Sequence, residues 1–182
     1  MKGLWWLLPL LASCSGPDLM VRSDERTDPP GKDEAKVVVF RESYRNRTKP
    51  YAFFDEQELL GFAQAGAWFE VLVRPGNHFF FLHGVSVNGV RANLAAGKTY
   101  YLRVDSVPKL LLLQLRLTPI TPDQEDYDRL DQTLADLERR EPVERQLVAY
   151  AKQHSARLER ELAELETDRI EECIPLGPDE GR

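Results

Sequence analysis

This sequence is poor in cysteine and methionine, with two of each, and it contains only three histidines. Cys14 and Cys173 stand at opposite ends of the chain, a separation that argues against a disulfide framework. No apolar run reaches the about 20 residues that a membrane-spanning helix needs; the one beginning at Leu4 ends at Ala12. There is no Gly-x-Ser-x-Gly elbow and no glycine-rich phosphate loop, which removes the usual sequence signatures of an activated serine and of a nucleotide cradle. Ser43, Ser86 and Ser106 have no evident histidine and acid companions. His78 and His83 lie five apart, on opposite faces of one extended strand, which is wrong for chelating a single metal. Both read as structural histidines. The residues therefore point to no enzyme, no metal and no cofactor.

What is present begins at the N-terminus. Lys2, a short apolar run and small residues ahead of Cys14 have the form of a secretory signal. Within it, Leu11-Ala12-Ser13-Cys14 resembles the lipobox of bacterial lipoproteins. The resemblance implies a signal peptide over residues 1–13, cleavage between Ser13 and Cys14, and a diacylglyceryl group on the Cys14 sulfur with further acylation, such as palmitate. Two or more acyl chains anchor a protein stably, where one holds only marginally. Ser15 is not the aspartate that resembles an inner-membrane retention signal, so the expected location is the cell envelope, at the outer membrane facing the periplasm. With Cys14 acylated, Cys173 has no partner within the chain, which suggests an intermolecular bridge or, as the reading preferred, an exposed thiol near a frayed tail.

Residues 14–35 are charged, contain Gly16-Pro17 and Asp28-Pro29-Pro30-Gly31, and read as a disordered tether. From Lys36 the texture changes to short β-branched and aromatic runs between turn signals, and residues 36–120 are expected to form an antiparallel β-sandwich. The expected strands include Val37–Phe40, Tyr51–Phe54, Leu59–Phe62, Trp68–Val73, Phe79–Leu82, Thr99–Asp105 and Leu110–Leu117. Turns are placed at Asp55–Glu58, Arg74–Asn77 and Ala96–Lys98, and an Asn88-Gly89 hairpin is expected between Val85–Val87 and Val90–Leu94. The segments Arg74-Pro75-Gly76-Asn77-His78-Phe79 and Leu94-Ala95-Ala96-Gly97-Lys98-Thr99-Tyr100-Tyr101-Leu102-Arg103 are similar to small all-β bacterial domains of unknown function that occur on lipoproteins. That resemblance covers residues 36–119 and implies a fold without implying an activity.

After Thr121-Pro122 the apolar period changes from two to about 3.6, and residues 121–174 are expected to be a helical extension, with a disordered tail over 175–182. One stripe runs through Tyr127, Leu130, Leu134 and Leu137. A second helix, opened by Pro142, places Val143, Leu147, Tyr150, His154, Leu158, Leu162 and Leu165 on one face. Charge divides the same way, with 11 Lys+Arg against 6 Asp+Glu over 36–120 and 9 against 18 over 121–182. A net charge of −6 argues against a nucleic-acid partner.

Two surfaces suggest binding. The loop carrying Arg41, Tyr44, Arg45, Arg47 and Lys49 sets four cations around one aromatic ring, suited to an anionic partner. The C-terminal helix either docks on the sheets or seeks a protein partner or a second copy. The sequence thus reads as a lipid-anchored envelope protein with a non-catalytic interaction or scaffolding module. The alternative is a small-ligand, glycan or lipid-binding domain that uses the aromatic surface around Trp68, Tyr101 and the basic loop.

Overall fold

The structure, a computed structural model, describes residues 18–25, 28–42, 49–83, 88–109, 112–168 and 173–182. Its strands are β1 (Met20–Arg22), β2 (Ala35–Arg41), β3 (Tyr51–Asp55), β4 (Glu58–Ala63), β5 (Ala67–Val73), β6 (Gly76–Leu82), β7 (Val90–Leu94), β8 (Thr99–Lys109), β9 (Leu112–Ile120), β10 (Glu138–Pro142) and β11 (Ile174–Leu176). A 3-10 turn at Glu125–Arg129 leads into α1 (Leu130–Ala135), and α2 (Glu144–Asp168) follows β10. The chain is mainly β, in two mixed sheets ordered β1-β10-β5-β2-β8-β9 and β11-β7-β6-β3-β4.

The run at β2 explains the layering. All seven of its residues are buried, because both faces of this central strand are covered. Val37 and Val39 enter the core shared with Phe53, Phe80, Leu82 and Val90 of the other sheet. Val38 and Phe40 join a second cluster with Tyr101, Ile120 and Leu130. A continuous apolar run, without alternation, is what a strand buried on both sides requires. Phe53 links the sheets directly, stacking on Phe80 at 5.4 Å and meeting the edge of Phe69 at 5.9 Å. Gly61 makes room for that contact: a Cβ there would fall 2.6 Å from the Phe69 ring.

The antiparallel expectation holds in part. β2 pairs with β5, β3 with β4 and β6, β6 with β7, β8 with β9, and β1 with β10 in antiparallel register. β2 with β8, β5 with β10, and β7 with β11 are parallel. Parallel neighbours need a long connection, and the excursion through the second sheet between Arg41 and Thr99 provides one. The Asp55–Glu58 turn closes the β3–β4 hairpin, with Glu56 at a φ of 49°. At the Ala96–Lys98 turn, Gly97 takes a φ of 75°, where a side chain would be strained.

Asn88 ties two strands through its side chain. Its buried side chain accepts from Leu117 N at 2.9 Å and donates to Leu117 O at 2.8 Å, tying β7's approach to β9. The strand expected at Val85–Val87 lies outside the described residues.

The helical extension is also corrected. The first stripe yields only the 3-10 turn and α1, after which Glu138–Pro142 becomes a strand between β1 and β5. Its five residues are charged apart from Pro142, so no apolar alternation announced it; backbone pairing on both sides overrides the local pattern. Pro142 ends this strand, and α2 starts at Glu144. Of the second stripe, Leu147, Tyr150 and Leu158 pack against the main core, with Tyr150 edge-on to Phe62 at 5.1 Å, while the side chains of Leu162 and Leu165 lie outside the described residues.

The segments expected to be disordered acquire structure by adding strands. Met20 is buried in β1, where a tether was expected. β11 occupies part of the expected loose tail, Leu176 is 2% exposed, and Cys173 packs half-buried against the core rather than standing on a frayed end. No helix among the described residues is long and apolar enough to cross a membrane.

Candidate functional site

The outer face of the six-stranded sheet carries the most chemistry. Strand register puts Arg139, Trp68, Phe40 and Arg103 in one row across β10, β5, β2 and β8, and Glu70, Val38 and Tyr101 in the next. Leu130, Tyr127, Leu134 and Leu137 of the short helical segment roof part of this face. Beside the roof an open cleft of about 490 Å³ remains, walled by Trp68, Tyr101, Leu134 and Arg182.

Lys36 and Glu70 line this cleft and begin a chain of buried charges. Lys36 Nζ lies 3.3 Å from Glu70 Oε2 and donates to the Asp28 carbonyl at 2.7 Å. Arg139 Nη2 reaches Glu70 Oε1 at 3.0 Å, and its Nη1 donates at 2.7 Å to both Ser23 Oγ and Glu141 Oε1. The Lys36, Glu70 and Arg139 side chains are 8%, 8% and 7% exposed. Two cations alternate with two carboxylates, and the chain reaches neutrality only through Glu141, whose side chain is 42% exposed; the buried part is paired throughout, as buried charge must be. Hydrogen bonds from Ser23, then Arg139, hold the Glu141 carboxyl below its ordinary range. Arg139 also lies 5.7 Å over the Trp68 ring. At the far rim, Arg182 Nε donates to Tyr101 Oη at 2.7 Å, and its guanidinium pairs with Asp131.

The basic loop is not assembled as a cationic patch by the residues that are described. Arg41 is fully buried; its Nη1 donates to the Lys49 carbonyl at 3.1 Å, and its guanidinium sits 4.8 Å over the Tyr51 ring. The cause is phase: Arg41 follows Val37 and Val39 on the inward side of β2. Burial lowers its pKa, and the two contacts tie the end of β2 to Lys49 and Tyr51. Lys49 is exposed, 5.8 Å from the same ring. Tyr44, Arg45 and Arg47 lie outside the described residues, as do Ser13 and Cys14. Neither Arg41 nor Lys49 lines the cleft.

His78 does meet a carboxylate, in a second cavity of about 490 Å³ that also involves Glu56, Arg91 and Pro175. Its Nδ1 is 2.6 Å from Asp55 Oδ2 and its Nε2 is 2.7 Å from the Arg74 carbonyl. A carboxylate and a carbonyl both accept, so the two contacts together favour the protonated ring. The hydrogen bond to Asp55 outweighs burial and raises the His78 pKa. With both nitrogens engaged, this pair ties β6 to β3 rather than offering a base to a substrate. His83 is buried against Phe54, Tyr150 and His154 at the foot of α2. No group of three or more His, Cys, Asp or Glu suited to a metal ion occurs among the described residues.

Comparison with protein-family models, with curated proteins and with solved structures finds no match to this chain. Of the cleft's residues, Trp68 and Tyr101 were legible in the sequence as an aromatic surface. Lys36, Glu70, Asp131 and Arg182 were not, nor was Arg139 beside Glu70, because a buried ion pair and a solvated one have the same letters.

Proposed function

We propose that this chain is a lipid-anchored envelope lipoprotein, held at Cys14 to the outer membrane facing the periplasm, whose two sheets form a β-sandwich acting as a non-catalytic binding module. The observation that carries the binding role is the cleft on the outer sheet face, with aromatic walls and a chain of buried, paired charges beside them. Aromatic rings supply contact area at low entropic cost, and rim charges supply selectivity, which suits an extended segment of a partner protein. The lipobox supports the anchor, and the engagement of both His78 nitrogens supports a non-catalytic reading. The test is a photo-crosslinking residue at Ala135, which is exposed and lines the cleft, in intact envelopes. A discrete adduct that Trp68→Ala removes supports the module; no adduct, or one indifferent to Trp68, contradicts it.

A second reading, a small-ligand or glycan site, is favoured by the volume alone, which falls within the roughly 300–1,000 Å³ of small-molecule pockets. Native mass spectrometry of the chain taken from its own envelope distinguishes the two, since only this reading predicts a co-purifying mass that Trp68→Ala releases.

A further inference from the structure

One rim of the cleft already holds a side chain of the same molecule. The tail folds back so that Thr99 N donates to Arg182 O at 2.6 Å and Arg182 N to Thr99 O at 3.0 Å, while Tyr100 Oη donates to the Pro178 carbonyl at 2.9 Å. Gly181 permits this close course, since a Cβ there would stand 2.8 Å from the Tyr100 ring. The seat delivers the Arg182 guanidinium 5.0 Å over Tyr101 and 5.8 Å from Tyr127, two rings nearly perpendicular at 89°. Its Nη1 and Nη2 face the two Asp131 carboxylate oxygens, and its Nε donates to Tyr101 Oη. Burial opposes the charge, yet the bonds to Asp131 and Tyr101 carry the Arg182 pKa above its ordinary value.

Two aromatic faces and a carboxylate fork make up the recognition chemistry of a guanidinium. A lysine ammonium, being a point charge, cannot span both carboxylate oxygens and the phenol together. We propose that Tyr101, Tyr127 and Asp131 form an arginine-binding site at the mouth of the cleft, with Arg182 as resident occupant and an exposed arginine on a partner protein as the exchanging ligand. The seat is open to exchange: the Arg182 side chain is 40% exposed and that of Asp131 80%. The tethered occupant acts at an effective concentration of millimolar order, so an incoming arginine binds only to the fraction of molecules whose seat is vacant. The inference rests on the cleft being a binding site and specifies what its rim selects.

The test titrates Nα-acetyl-arginine N-methylamide, and its lysine counterpart, into the full chain by NMR. Arg182→Ala is expected to bind the arginine probe at least about tenfold more tightly than the unmodified chain, as removal of a tethered competitor requires, and in preference to lysine. Adding Asp131→Asn is expected to abolish that gain. No gain in Arg182→Ala, or an equal response to lysine, overturns the proposal. Since losing Arg182 also removes tail contacts, the unmodified chain provides an independent readout. Saturating arginine probe must move the Gly181 and Arg182 amide resonances, and unmoved resonances overturn the proposal. A cleft ligand lost in Trp68→Ala without any arginine preference would sink this inference and leave the binding module standing.

Discussion

Replacing Glu70 by alanine deprives Lys36 and Arg139 of the carboxylate they share. At an effective dielectric constant of about 20, each contact has a gross attraction of about 5 kcal/mol, for separations of 3.3 and 3.0 Å. Desolvation of the buried groups offsets most of that sum, and removing one partner from a buried pair leaves a net loss of about 3–5 kcal/mol. That is a large fraction of the roughly 5–15 kcal/mol that holds a domain folded. With a urea slope of about 2 kcal/mol/M, the unfolding midpoint should fall by about 1.5–2.5 M. Replacing Lys36, Glu70 and Arg139 together by methionine removes the charges along with their desolvation, and it is expected to recover most of the loss. Urea titration followed by tryptophan fluorescence measures both. A loss below about 1 kcal/mol for Glu70→Ala, the range of exposed pairs, would refute the reasoning, because it would mean that water reaches the charge chain.

Two further predictions concern the framework. The folded His78 pKa is raised, so the imidazolium's contribution is fully present below about pH 6.5 and is lost as pH rises through the higher folded value. The stability gap between the unmodified chain and His78→Phe should therefore shrink as pH rises above about 6.5; a gap independent of pH would contradict the raised pKa. Leu158, 5% exposed, anchors α2 to the core, and Leu158→Ala is expected to cost about 2–4 kcal/mol. Hydrogen exchange should then rise over residues 144–158 before it rises in β2.

The features legible in the sequence were those written by period and by turn chemistry. Leu115 and Leu117 are fully buried on the inward face of β9, as their alternation implied, and Leu147, Tyr150 and Leu158 mark the docked face of α2. β1, β10 and β11 escaped notice because each is three to five residues long and stabilised by pairing with distant segments rather than by its own pattern. Arg41 was misread for a related reason. A cation next to a basic loop looks solvated, and only its position on β2, two residues beyond Val39, shows that it points inward. Of the cleft, the rings could be seen and their partners could not: Arg139 comes to Glu70, and Arg182 to Asp131, through tertiary closure.

The central claim, a lipid-held envelope protein, is tested most directly by metabolic labelling with a clickable palmitate analogue, comparing the unmodified chain with Cys14→Ser through membrane fractionation. The account predicts that label and membrane association vanish together in Cys14→Ser. Membrane association that persists in that variant without label would contradict it.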